Sequence, residues 1–408
     1  LYEIQLAYYK KFEKAVREAG YQGPLIGSCW TTPAGLPLYY NLSTDYEVGF
    51  IDRHNYFGGM KGYAPKPGPF SNASMLSAPG TGLLSMAFLQ VLDRPFAASE
   101  WSSVFPNRYS LESVSLIAAY GMGLQGWDAS YQFTSSARPG FWDIVAGNQN
   151  FVVDRIDQMG LYPTLARMIY RGDVRQGGLV GARRVSVNEL AQGGPDFLKK
   201  EKSESQGDFK EMQTDVPAAA MAAGRVVVEF VKESTPNLIP EMTKHTRGDA
   251  IVSDTGQLEW VVAGDKKGWF SINTDGTQAV VGFLPERTIS LSQVAFTPMT
   301  PFCGLYLTSL DQSKGLESAP ACLLTAVARV GNTGMKFNDD ETELLEVGKA
   351  PLLLEPVRTK IAFTERRPAS IEILDHDGRK TGRTLEMKEG VVDIDTGRDQ
   401  SPYYLITY

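Results

Sequence analysis

Glu100 closes a short apolar run, RPFAASEW (94–101), between Ser99 and Trp101. A carboxylate there is either a hydrated charge at a strand end or a nucleophile facing a cleft. A nucleophilic carboxylate must stay ionised, so hydrogen-bond donors have to stand close to it. If it attacks a sugar, aromatic side chains must also offer a wall to the apolar face of the ring. Neighbouring runs supply both types: Asp52, His54 and Tyr56 in VGFIDRHNYF, Ser28 and Trp30 in PLIGSCW, Trp127 and Asp128 in GLQGWDASYQF. Each has a plainer reading. Glu100 alone is a solvated carboxylate, and His54 is a satisfied structural histidine. Tyr56, Trp30, Trp101 and Trp127 are packing aromatics. Asp52 and Asp128 suit loop-holding hydrogen bonds, and Asp52 also suits a sugar hydroxyl.

The elements that position these residues follow a rhythm. PLIGSCW, VGFIDRHNYF, RPFAASEW and GLQGWDASYQF are short apolar runs, separated by long Gly/Pro loops or by the helical patterns GLLSMAFLQVLD and SLESVSLIAAYGM. Strands alternating with helices imply parallel βα units. The polar and aromatic residues gather at the carboxyl end of each run, which is the catalytic face of a (β/α)8 barrel and the ligand crevice of an open sheet. The opening segment, with Ile4, Tyr8, Phe12, Ala15, Val16 and Ala19 at helical spacing, predicts a helix ending at Gly20. After about residue 140 the pattern becomes a helical connector. From Arg225 onward, short β-branched runs at regular spacing predict β-sandwich modules. The expected organisation is therefore a unit of parallel βα repeats over 1–140, a connector over 141–224 and β-sandwich modules over 225–408.

Composition sets the outer limits. The 408 residues carry 43% hydrophobic and 21% charged side chains and a net charge of −7. That is a globular composition without a basic footprint for nucleic acid. No apolar run is long enough to suggest a membrane span. The three cysteines and three histidines have no metal-ligand spacing, and no cofactor motif is in its required context. GMGLQG (121–126) fits a dinucleotide fingerprint in letters only, because it follows a helical pattern and enters a strand. Cys303 and Cys322 are open to pairing or to remaining thiols.

Taken in order, the four runs resemble strands five to eight of clan A glycoside hydrolases, the retaining (β/α)8 superfamily that includes β-galactosidase-like and agarase-like enzymes with C-terminal β-sandwich modules. PLIGSCW is similar to the fifth strand, DRHNYF to the sixth with its His-x-Tyr pair, PFAASEW to the nucleophile segment of the seventh, and LQGWDASYQF to the eighth. The resemblance covers residues 1–140. It implies the C-terminal half of a TIM barrel and retaining hydrolysis of β-linked glycosides or polysaccharides. In that reading Glu100 is the nucleophile, His54 and Tyr56 position it, and Trp127, Trp101 and Trp30 line subsites with Asp52. No metal or organic cofactor is implied. The family's acid/base, a Glu usually preceded by Asn at the fourth strand, has no counterpart. The one Asn-Glu pair is Asn188-Glu189, far downstream, and Glu3 lies in the opening helix. The expected partners are thus a carbohydrate and a further chain or N-terminal segment that completes the barrel beside Pro24–Trp30. A secreted or periplasmic location follows from the substrate class. The alternative is a non-catalytic carbohydrate-binding or assembly protein on the same scaffold. An amidohydrolase- or aldolase-like barrel would want strand-end Lys or clustered His, and neither occurs.

Overall fold

The computed structural model describes residues 2–32, 35–135, 150–194, 202–206 and 209–408. Three of the four runs form a parallel sheet in chain order: Ile51–Phe57, Phe96–Ser103 and Ala129–Gln132. The fourth, Pro24–Trp30, was expected to be a strand and is not one. It runs beside the His54 strand, held by Phe50 N–H to Leu25 O (3.2 Å) and His54 N–H to Cys29 O (3.3 Å). Pro24 lacks an N–H, and Gly27 has little to gain from an extended ladder, so the segment meets its neighbour at these points without regular pairing.

The crossovers keep to the apolar runs. Gly82–Leu89 is a 3-10 helix whose eight residues are all buried, and Leu111–Leu116 continues as a π-helix through Leu124. A helix apolar all round belongs inside a core. The opening helix, Tyr2–Glu18, is the reverse: none of its residues is buried. The expected connector over 141–224 is partly outside the described residues, at 141–149, 195–201 and 207–208. Within it, Tyr162–Arg171 is helical, and the return strand Leu179–Ser186 pairs in parallel with Arg225–Val231. RVVVEF therefore belongs to the connector rather than to the β modules. Two further strands in this span, Lys202–Gln206 and Phe209–Gln213, pair with each other.

The C-terminal region contains a ten-stranded antiparallel sheet, from Thr246–Arg247 to Lys380–Thr384, and a four-stranded antiparallel sheet. They enclose one core, in which Val280, Leu305 and Tyr404 of the larger sheet meet Phe296, Ile361 and Ile394 of the smaller. The intervening residues of the larger sheet face the other way. Phe270, Ala279, Val281 and Tyr306 join the core under the parallel sheet, with Trp101 and Trp127. Side chains alternate between faces with a period of two, so one sheet closes two cores. That is why Phe302–Ser309 is buried along its whole length. Trp260 crosses between the regions, donating its indole N–H to Leu76 O at 3.1 Å. Full burial of each such aromatic contributes about 2–3 kcal/mol. Cys303 and Cys322 are separate free thiols inside this region.

Candidate functional site

Along Ile51–Phe57 the period-two rule puts Asp52, His54 and Tyr56 on one face and Arg53, Asn55 and Phe57 on the other. Glu100 reaches the first face by a local irregularity. Arg53 is paired with Ala98 and His54 with Glu100, so Ser99 is an extra residue. A bulge of this kind re-aims side chains, and here it lets the consecutive Ser99 and Glu100 both point toward the His54 face.

The result is one hydrogen-bonded chain. Tyr56 Oη donates to Glu100 Oε2 at 2.6 Å. His54 Nδ1 lies 3.4 Å from the same oxygen. His54 Nε2 is 2.9 Å from Ser99 Oγ, and Ser99 Oγ donates to Asp52 Oδ2 at 2.6 Å. The Ser99 backbone N–H also donates to Asp52 Oδ1, at 3.0 Å. The donor assignments follow from chemistry. Asp52 as a carboxylate only accepts, so Ser99 spends its proton there and can only accept from His54 Nε2–H. That directs Nδ1 at Glu100. Burial, and then the bond to Glu100, push the Tyr56 hydroxyl well above the usual phenol range. It therefore remains a donor at any working pH.

Exposure separates the members. The side chains of Glu100 and His54 are 35% and 28% exposed, whereas Asp52 is buried. Glu100 is reachable from solvent, and Asp52 is committed to holding Ser99. Cys29 lies close enough to feel Asp52 and Glu100, but burial, followed by those carboxylates, raises its thiol pKa. A thiol held protonated is a poor nucleophile.

The aromatic wall is not the one expected. Trp101 is buried on the opposite face and donates Nε1–H to Ser130 Oγ at 2.7 Å. Trp127 is buried against Phe96, with ring centroids 5.1 Å apart, and its six-membered ring fills the space at Gly121. Neither is brought to Glu100. Trp30 is 74% exposed, next to Cys29, whose carbonyl binds the His54 backbone. In place of the two buried tryptophans, Tyr56 packs edge-on against Phe151 at 4.9 Å and Phe133 at 6.2 Å, with Tyr63 5.8 Å from Phe151. Phe133, Phe151 and Tyr63 were not singled out in the sequence. Phe133 stands one residue beyond the third strand, but no local pattern marks Tyr63 and Phe151. Asp128 holds the start of the Glu100 strand, accepting from Phe96 N–H at 2.9 Å.

Among the described residues, no group of three or more His, Cys, Asp or Glu side chains is placed to hold a metal ion, and no helix is long and apolar enough to cross a membrane. No family model matches the chain, and neither do the curated proteins or the solved structures.

Proposed function

We propose that this chain carries the nucleophile half of a retaining glycoside hydrolase active site, acting on β-linked glycosides or polysaccharides, and that its first 140 residues are the second half of a (β/α)8 barrel. The observation that carries the reading is Glu100 itself: a solvent-reachable carboxylate midway along the parallel strand Phe96–Ser103, held by Tyr56 Oη at 2.6 Å and flanked by His54. In such a reaction the carboxylate attacks the anomeric carbon, the glycosidic C–O bond breaks, and a glycosyl ester forms on Glu100. Water then cleaves the ester with retention. Tyr56 fixes the attacking oxygen. Ser99 and Asp52 fix His54, and the Tyr56–Phe133–Phe151 aromatics with Trp30 supply apolar surface for the sugar.

The acid/base belongs to a segment completing the barrel. Two apolar edges support that part of the proposal. Ile4, Tyr8 and Trp30 are 74%, 64% and 74% exposed at one edge, and Tyr131 and Tyr170 are 62% and 82% exposed at the other. Exposed aromatics on both flanks of a short parallel sheet are what a second set of βα units would cover. A secreted or periplasmic site of action follows from a polysaccharide substrate.

One observation favours the runner-up, a non-catalytic carbohydrate-binding protein. The nearest acidic partner in the cluster, Asp52, is buried and bound to Ser99, so it cannot serve as the second carboxyl group. Activity decides between them. In the protein together with its completing segment, Glu100→Gln should lower turnover of aryl β-glycosides by about 10³-fold or more. Azide should partly rescue Glu100→Ala by entering the vacated space. Turnover by Glu100→Gln at the parent rate would overturn the reading.

A further inference from the structure

A cleft of about 670 Å³ opens in the antiparallel region and shares no lining residue with the Glu100 cluster. Its volume falls in the range of small-ligand sites. One wall is the edge of the ten-stranded sheet, with Trp269 at its base, and the other is the short strand Ile289–Ser290 of the smaller sheet. Four cations line it: Arg247, Lys266, Lys267 and Arg287. The chain as a whole carries a net charge of −7, so this local excess runs against the average.

The charges are also unspent. Among the described residues none of the four forms an ion pair, although Asp249 and Glu259 line the same cleft. Lys266 contacts the face of Tyr109, with Nζ 5.8 Å from the ring centroid. Its backbone is held at φ 50°, a left-handed conformation that costs a non-glycine residue about 1 kcal/mol. The loop is pinned in that shape by bonds to a neighbouring turn: Lys266 N–H to Ser77 Oγ (3.3 Å) and Ser77 Oγ to Asp265 Oδ1 (3.2 Å). A surface with no ligand to serve interleaves its charges and pairs them. Here cations from three separate strands and loops converge on one volume and stay unpaired.

We infer that this cleft is an accessory binding site for an anionic polysaccharide, bearing uronate or sulfate groups. The cations meet the anionic groups, and Asp249 and Glu259 accept hydrogen bonds from sugar hydroxyls. The two carboxylates accept hydrogen bonds only, and a polysaccharide offers them hydroxyl donors that a duplex DNA backbone lacks. The positive charge of the cleft stands independently of the glycosidase reading, and only the saccharide nature of the ligand leans on it.

The test uses the full chain carrying Glu100→Gln, so that binding is read without turnover. Affinity is measured for polygalacturonate, dextran sulfate, neutral dextran and duplex DNA, with and without Arg247→Glu/Lys267→Glu/Arg287→Glu. At least one anionic polysaccharide should bind about tenfold tighter than dextran. That advantage should vanish in the triple variant and shrink as salt is raised. Polygalacturonate alone would assign carboxylate recognition, and dextran sulfate alone would assign sulfate. Arg247, Lys267 and Arg287 are exposed, so the triple variant should keep its melting temperature. Should it not, Arg247→Gln/Lys267→Gln/Arg287→Gln replaces it, with the same loss expected. Equal binding by parent and variant, equal affinity for dextran, binding of DNA alone, or no binding at all would each overturn the assignment. Binding lost in the triple variant would uphold this site even if Glu100 proved non-catalytic.

Discussion

The two faces of the small parallel sheet are built from the same strands and behave oppositely. On one, Asp52, His54, Tyr56, Ser99 and Glu100 bond to one another, and the two groups nearest the chemistry are partly exposed. On the other, Arg53, Asn55 and Trp101 are buried and bond outward to the surrounding chain. Arg53 reaches Asp45 of the helix Leu36–Val48 at 2.9 Å, and Asn55 Nδ2 reaches Gly82 O at 2.7 Å. Strand alternation thus separates tasks residue by residue. One face holds a partly exposed hydrogen-bonded cluster, and the other ties the sheet to its covering layer. Substitutions on the first should change chemistry and spare the fold, and substitutions on the second should do the reverse.

The largest effect on stability at neutral pH should come from the rear face. The Asp45 and Arg53 side chains are 1% and 0% exposed. Burial pushes the Asp45 carboxyl up and the Arg53 guanidinium down, so each depends on the other to remain charged. Asp45 also accepts from Ser28 Oγ at 3.1 Å, pinning the Pro24–Trp30 segment. Asp45→Ala leaves a buried guanidinium without its partner, a change that costs about 3–5 kcal/mol. Urea denaturation should show that loss. A variant within about 1 kcal/mol of the parent would mean the rear face is not the structural one.

A second carboxylate sharpens the contrast. Glu112 lies in the helix after the Glu100 strand and is fully buried, accepting from Ser74 Oγ at 2.6 Å and Met75 N–H at 2.8 Å. Burial raises its pKa to about 8 in spite of those bonds. Below about pH 4.5 the group is protonated in both folded and unfolded chains and costs nothing. Between there and pH 8 the unfolded chain releases the proton and the folded chain keeps it, so stability falls as pH rises. The loss is on the order of 4–5 kcal/mol by pH 8.5. Glu112→Gln keeps the acceptor for Met75 and a donor for Ser74. It should therefore match the parent near pH 4.5 and exceed it increasingly toward pH 8.5 in chemical denaturation. Parallel stability curves for the two proteins would show that the folded state does not hold this proton.

Much of the Glu100 face was legible in the sequence because its rules are local. Asp52, His54 and Tyr56 share a face by parity alone, and a carboxylate at the end of the next apolar run falls beside them. The same parity contained a warning about Trp101, which follows Glu100 directly and therefore faces away. The bulge at Ser99 was not legible. It depends on how two strands register, and no residue in FAASEW announces it, so the Ser99–His54 link went unforeseen. Phe151 reaches Tyr56 from a segment distant in sequence, and Tyr63 packs on Phe151 from the loop after the His54 strand, where no periodicity operates. The β-rich region was readable from its β-branched runs. That one sheet serves two cores was not, because runs such as FCGLYLTS show continuous burial without saying what covers each side.

The smallest effect belongs to Tyr56, and it tests the division most directly. Its hydroxyl makes one bond to Glu100, while its ring packs on Phe151 and Phe133. Tyr56→Phe removes the oxygen and keeps the ring. A hydrogen bond to a charged acceptor contributes about 1.5–3 kcal/mol, but here the acceptor is partly exposed and water can replace the donor. Stability should therefore stay within about 1 kcal/mol of the parent. Water does not fix direction, however, and a carboxylate free to rotate spends less time aimed at the anomeric carbon. In the protein with its completing segment, kcat should fall about 10–100-fold with KM nearly unchanged, because the hydroxyl orients the attacking group rather than binding the sugar. An equal loss in stability would place Tyr56 with the structural face despite its parity. A rise in KM at constant kcat would make it a substrate-binding residue and leave Glu100 positioned by His54 alone.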